Sequence, residues 1–129
     1  MFGQLTQGSA ARCRPSTYPP GVSQATLDSI ASCESGGDPT VVDASGTYYG
    51  KYQFDMGTWA SVGGSGSPAD ASEAEQDYRA ALIEFKRAYE IAPSFGVLYN
   101  IAQCHYQLLD YAAALDAFER YLADGGTQI

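Results

Sequence analysis

Apolar and polar positions follow more than one rhythm along this 129-residue chain. Residues 1–22 show none. Gly, Pro, Ser and Thr are mixed without period, and PSTYPPG at 15–21 predicts an extended, turn-rich lead-in. A helical rhythm starts at Ser23, a suitable N-cap, and brings Leu27, Ile30 and Ala31 onto one face, with Cys33 and Glu34 at the end. Gly36 and Gly37 stop this helix. Asp38-Pro39 then opens a loop, because the residue before proline is driven off helical angles. Residues 40–54 alternate weakly. Thr40, Val41 and Val42 precede the turn DASG at 43–46, and Tyr48, Tyr49, Tyr52 and Phe54 follow it, which predicts a short irregular β-hairpin. A brief helix fits 55–62, and GGSGSP at 63–68 reads as a flexible break.

From Ser72 the helical period returns and holds. Ser72 with Glu75 three residues later is a capping box. Tyr78, Ala81, Leu82, Phe85, Ala88 and Tyr89 share one face until Pro93 ends the run. A second helix carries Leu98, Ile101, Ala102, His105 and Leu108. A third carries Tyr111, Ala114, Leu115, Phe118, Tyr121 and Leu122, and Gly125-Gly126 closes it. These helices contain an internal repeat: DYRAALIEF at 77–85 recurs as DYAAALDAF at 110–118, an offset of 33 residues. The expected fold class is mainly α (α+β), with one short hairpin.

Composition narrows the choices. With 45% apolar residues and ten Tyr the chain is globular. Its length fits one ordinary domain, or two small ones that would each be marginal. The net charge of −8 is shared by both halves, with six acids against three bases up to residue 70 and nine against four beyond it. No basic stripe is present to neutralise phosphates, which argues against nucleic acid as a partner. No apolar run is long enough to span a membrane. The first residues lack the basic and apolar regions of a signal peptide, which taken alone would leave the chain in the cytoplasm. Cys13, Cys33 and Cys104 form no Cys-x-x-Cys pair, and the one His, His105, sits beside Cys104; no metal site and no cofactor are expected.

The chemistry sits in the first half. Glycosidic cleavage needs a proton on the leaving oxygen, and a carboxylic acid supplies it near neutral pH only when burial raises its pKa. Glu34 has Ile30, Ala31 and Cys33 behind it, and Tyr48, Tyr49, Tyr52 and Trp59 as candidate neighbours. Aromatic rings stack on sugars, while Gln53, Thr58 and the amides near Gly36-Gly37 could hydrogen-bond acetamido and hydroxyl groups. Spacing alone leaves two readings open. A Glu at a helix end is equally a solvated surface acid, and the aromatics are equally core residues.

Motifs add to that reading. IASCESGG at 30–37, GTYYGKYQFDMGTWASVGGSG at 46–66 and PADASEAEQ at 68–76 closely resemble the catalytic domain of resuscitation-promoting factors, secreted actinobacterial cell-wall hydrolases with a small lysozyme-like fold. The resemblance covers about residues 23–82. It implies that Glu34 is the catalytic proton donor, that Tyr49, Gln53 and Thr58 line a groove for the glycan strands of peptidoglycan, and that Trp59 packs beneath it. It also implies a lytic transglycosylase with one essential carboxylate. A hydrolase would need a second, for which Asp43 and Asp55 are available. The resemblance implies secretion or a cell-wall location. The chain departs from the family where a Q-G-W-x-x-W-P-x-C ending should follow; its Cys would pair with the Cys before the catalytic Glu. Cys104 is the only downstream substitute for pairing with Cys33, and a buried thiol is the alternative.

The repeat pattern resembles a different family. D-Y-x-x-A-hydrophobic-x-x-F resembles the second helix of tetratricopeptide repeats, over about residues 75–124. The period is one residue short, and Leu109 stands where the inter-helix turn usually has glycine. The implied organisation is a lead-in (1–22), a truncated lysozyme-like half (23–74), a tetratricopeptide-like helical hairpin preceded by one helix (75–124) and a tail (125–129). The alternative to an enzyme is an interaction module, with repeat helices binding a peptide or protein partner beside an inactive remnant. A crossover product with neither activity is the third reading.

Overall fold

The computed structural model describes residues 24–129. The expected lead-in, its cysteine Cys13 and the cap at Ser23 lie outside the described residues. The chain is mainly helical, in the order α1 (Gln24–Ser35), α2 (Met56–Ser61), a 3₁₀ turn (Pro68–Asp70), α3 (Glu73–Ile91), α4 (Phe95–Gln107), α5 (Tyr111–Gly125) and a closing 3₁₀ turn (Gly126–Gln128).

Helix α1 buries the face the pattern assigns to it, namely Leu27, Ile30 and Ala31. It ends through backbone hydrogen bonds from Gly36 N–H to Ser32 O and from Gly37 N–H to Ala31 O, both 3.1 Å. Gly36 and Gly37 hold φ of 70° and 87°, where a side chain would be strained.

The expected hairpin falls short of a ladder. Two isolated antiparallel bridges, Val42 with Tyr49 and Tyr49 with Phe54, are what forms. The reason is local competition. The Asp43 carboxylate takes the Thr47 and Tyr48 N–H groups at 2.9 Å and the Ser45 hydroxyl at 2.6 Å. Gly46, Gly50 and Gln53 all turn at positive φ, so the chain reverses before a strand can extend.

Asp55 caps α2 by accepting the Thr58 N–H at 2.6 Å, and Trp59 of α2 is buried. The segment expected to be a flexible break is instead clamped on that ring. Trp59 Nε1 donates to Ser65 O at 3.3 Å, and a Cβ on Gly64 would meet the indole at 2.4 Å. Glycine is there for close approach, not for slack.

Ser72 accepts the Glu75 N–H and starts α3, as the capping box predicts. Residues 80–85 of α3 are all buried. Six consecutive positions cannot lie on one helix face, so α3 is covered from several sides. One apolar cluster joins Leu27, Ile30 and Ala31 of α1 and Trp59 of α2, through α3, to Leu98, Ile101 and Ala102 of α4 and Ala117 of α5. Helix α3 is therefore the shared wall of one core, and residue 74 falls in its first turn.

Helices α4 and α5 meet through aromatic edges, with Tyr99 5.7 Å from Phe118 and 5.3 Å from Tyr121, and Phe95 5.9 Å from Tyr121. Between them Leu109 N–H donates to Tyr106 O at 3.0 Å and Asp110 N–H to His105 O at 2.9 Å. This is a Schellman ending, and Leu109 occupies its left-handed position at φ 63°.

Candidate active site

Glu34 lies in the last turn of α1, half-buried. Burial pushes its carboxyl above the ordinary glutamate pKa, because the charged form loses hydration. The neighbouring residue fastens this turn to the loop below. Ser35 Oγ donates to Lys51 O at 2.6 Å, with Ala31 O 3.2 Å away, and accepts the Gly37 N–H at 3.1 Å.

Lys51 is the buried node of a part-exposed polar cluster. Its Nζ lies 3.0 Å from Glu73 Oε1 and 2.9 Å from Asp77 Oδ1, both on α3. Burial pulls its pKa down, but the Asp77 and Glu73 carboxylates outweigh that and hold it above the usual lysine value. Tyr52 donates its hydroxyl to the same Asp77 Oδ1 at 2.5 Å. Burial, and then the Asp77 carboxylate, push the phenol well above its ordinary pKa, so it stays a donor.

Gln76, fully buried on α3, closes the arrangement. Its Oε1 accepts the Lys51 N–H at 2.8 Å, and its Nε2 donates to Pro39 O at 3.1 Å and Ala71 O at 3.0 Å. Gly50 turns at φ 81°, and a Cβ there would stand 2.3 Å from Gln76 Oε1. The loop carrying Tyr49 and Gln53 is thus pinned to α3 on one side and to the end of α1 on the other.

The remaining candidates sit on or just after that loop. Tyr49 is half-buried and donates its hydroxyl to Gly46 O at 2.6 Å. Gln53 is buried at φ 52° and donates from Nε2 to Gly50 O at 2.9 Å and Val41 O at 3.4 Å. Thr58 is half-buried in the first turn of α2. Trp59 lies beneath, fully buried, with Phe54 at 4.9 Å and the Arg79 guanidinium 5.3 Å from its ring. The two further carboxylates already have structural work. Hydrogen bonds, first from the Ser45 hydroxyl and then from the Tyr48 amide, hold Asp43 below the usual aspartate pKa, and Asp55 caps α2.

Cys33 and Cys104 are unbridged thiols, so Cys104 does not substitute for the missing family cysteine. Cys33 is exposed, whereas burial pushes the Cys104 thiol up to about 12.

Sequence reasoning missed Lys51 and Gln76. The signal available was Lys51 itself, a lone base among aromatics. Its partners lie 22 to 26 residues away, which no local pattern reveals.

Comparison with known proteins gives the family. Residues 21–89, more than half of the chain, match the transglycosylase-like domain family, from just before α1 to near the end of α3. Resuscitation-promoting factor RpfE of Mycobacterium tuberculosis is 53% identical over 49 residues, covering 38% of this chain and 28% of that protein. Resuscitation-promoting factor Rpf of Micrococcus luteus is 42% identical over 59 residues, covering 46% and 26%. Probable transglycosylase SceD 3 of Staphylococcus saprophyticus is 48% identical over 61 residues, covering 44% and 26%. The chain therefore spans about a quarter of the length of these curated relatives. No solved structure matches it.

Proposed function

The chain belongs to the transglycosylase-like domain family, and from that premise we propose that it cleaves the glycan strands of peptidoglycan as a lytic transglycosylase, with Glu34 as the single catalytic acid. The observation carrying this reading is the position of Glu34. Its carboxyl is raised by burial, at a glycine-terminated helix end bonded to the loop that presents Tyr49.

Protonated Glu34 gives its proton to the bridging glycosidic oxygen as the C1–O bond breaks and positive charge gathers at C1. The resulting carboxylate then takes the proton of the sugar's own primary hydroxyl, whose oxygen bonds to C1 and closes an anhydro ring. One group acts first as acid and then as base, and no water is consumed. The structural employment of Asp43 and Asp55 supports this one-carboxylate route over hydrolysis. Tyr49 and Thr58 face the glycan, and Gln53 acts from below by holding the turn that aims Tyr49. The site of action is the cell wall. In this reading residues 23–74 carry the chemistry, and the tetratricopeptide-like helices of 75–124 complete the core in place of the missing family ending.

A peptidoglycan gel comparing the chain with Glu34→Gln tests it. Clearing by the parent and loss of at least about 100-fold in the variant are expected. Equal clearing, or none from either, removes the enzyme reading. Mass analysis should find anhydro-muramyl ends; reducing ends alone would mean hydrolysis. A second reading, an interaction module, is favoured by one observation, an uncovered apolar face on α5.

A further inference from the structure

Helices α3 and α5 carry the same apolar stripe. Tyr78, Leu82, Phe85 and Tyr89 recur 33 positions later as Tyr111, Leu115, Phe118 and Leu122. Steps of four, three and four residues keep each set along one side of its helix.

In α3 the stripe is largely covered by α4, with Tyr78 at its start partly open. Tyr78 and Phe85 line a cleft of about 360 Å³ with Asn100, Gln103 and Cys104 of α4. Tyr89 lines another with Leu98 and Ile101 of the same helix. Leu82, between them on the stripe, is 0% exposed. In α5 three of the four equivalent positions are bare, with Tyr111 58%, Leu115 60% and Leu122 59% exposed, while Phe118 is half-buried against Tyr99. The other side of α5, with Ala114 and Ala117, is the buried one.

We propose that the Tyr111–Leu115–Leu122 stripe seats an amphipathic helix of a partner protein, with an aliphatic face flanked by Lys or Arg. That the occupant is a helix follows from the chain itself, since Leu82 and Phe85 of the first copy are buried in one cluster with Leu98 and Ile101 of helix α4. That its flank is basic follows from the same comparison. Lys86 beside the covered stripe becomes Glu119 beside the bare one, in a chain of net charge −8. A second copy fits poorly. Its own α4 face is already buried, and α5 packed on α5 would bring the Glu119 flanks of two acidic chains together.

The probe is a synthetic Leu/Lys amphipathic helical peptide of about 18 residues, with a Leu/Glu peptide of the same pattern as its counterpart. Binding is measured by calorimetry at low salt to the full chain and to Leu115→Asp and Leu122→Asp. Both sites are exposed, so melting followed by circular dichroism should be unchanged. The Leu/Lys peptide should bind the parent, and either substitution, or the change to Leu/Glu, should weaken binding at least about ten-fold. Sedimentation should show a monomer. The proposal is overturned by absent binding to the parent, by equal affinity for parent and variants, by equal affinity for the two peptides, or by a dimer that Leu115→Asp dissociates.

Discussion

In the proposed reading a single half-buried carboxyl, Glu34, ties catalysis and stability to the same pH range. The pKa of Glu34 is raised in the folded chain above the ordinary 4.5, so the folded state holds its proton more tightly than the unfolded one. Its contribution to stability is therefore complete below pH 4.5 and is lost as pH rises through the raised value. Activity should fall over that same upper range as the acid ionises, giving the alkaline limb of the pH–rate profile. Glu34→Gln removes the ionisation, so the variant should melt no lower than the parent at neutral pH while losing clearing activity. A markedly lower melting temperature would make Glu34 a structural residue. Leu109 offers a second test. It is held at φ 63° and is mostly exposed, so Leu109→Gly should stabilise the chain by about 0.5–1 kcal/mol, read as a rise in the urea midpoint. No gain would mean that the Leu109 side chain makes contacts worth as much as the strain.

At the scale of elements, the loop between α1 and α2 is specified by ties that bypass it. Gln76 alone satisfies one N–H and two carbonyls from three separate segments. Gln76→Leu keeps the volume but strands all three groups, and should cost about 2–4 kcal/mol in chemical denaturation. A loss below about 1 kcal/mol would show that water replaces the amide without penalty. Gly50→Ala should be destabilising by the same mechanism, since its Cβ meets Gln76 Oε1. These ties also show why only part of this region was legible in the sequence. Helix starts were readable because caps are local: Ser72 and Glu75 announce α3 from four adjacent letters. The expected hairpin is reduced to two bridges because Asp43 competes for the amides a ladder would use. Residues 63–67 looked like slack because glycine composition does not reveal that Gly64 lies against the Trp59 ring. Motif and residue type alone make Glu34, Tyr49 and Thr58 candidates, whereas the tie between Lys51 and Gln76 spans 25 residues and leaves no local pattern.

At the scale of the whole molecule, α3 serves two neighbourhoods at once, and the repeat and the transglycosylase-like pattern overlap on it. Its buried run at 80–85 leaves no face to spare for solvent. The chain should therefore unfold in one cooperative transition, with the fluorescence of Trp59 and the far-ultraviolet helix signal changing together. Truncation after Ala92 removes α4 and α5 and uncovers Leu82 and Phe85, so it should abolish cooperative melting. A soluble, cooperatively folded fragment would mean that the first three helices form a core without α4 and α5.

The proton on Glu34 is the claim on which the functional account rests, and its titration can be observed directly. Carbon-detected NMR of the Glu34 side-chain carboxyl across pH, in the intact chain, should give a midpoint above the 4.5 of an ordinary glutamate. A midpoint at or below that value would describe a solvated surface acid and contradict the assignment of Glu34 as proton donor.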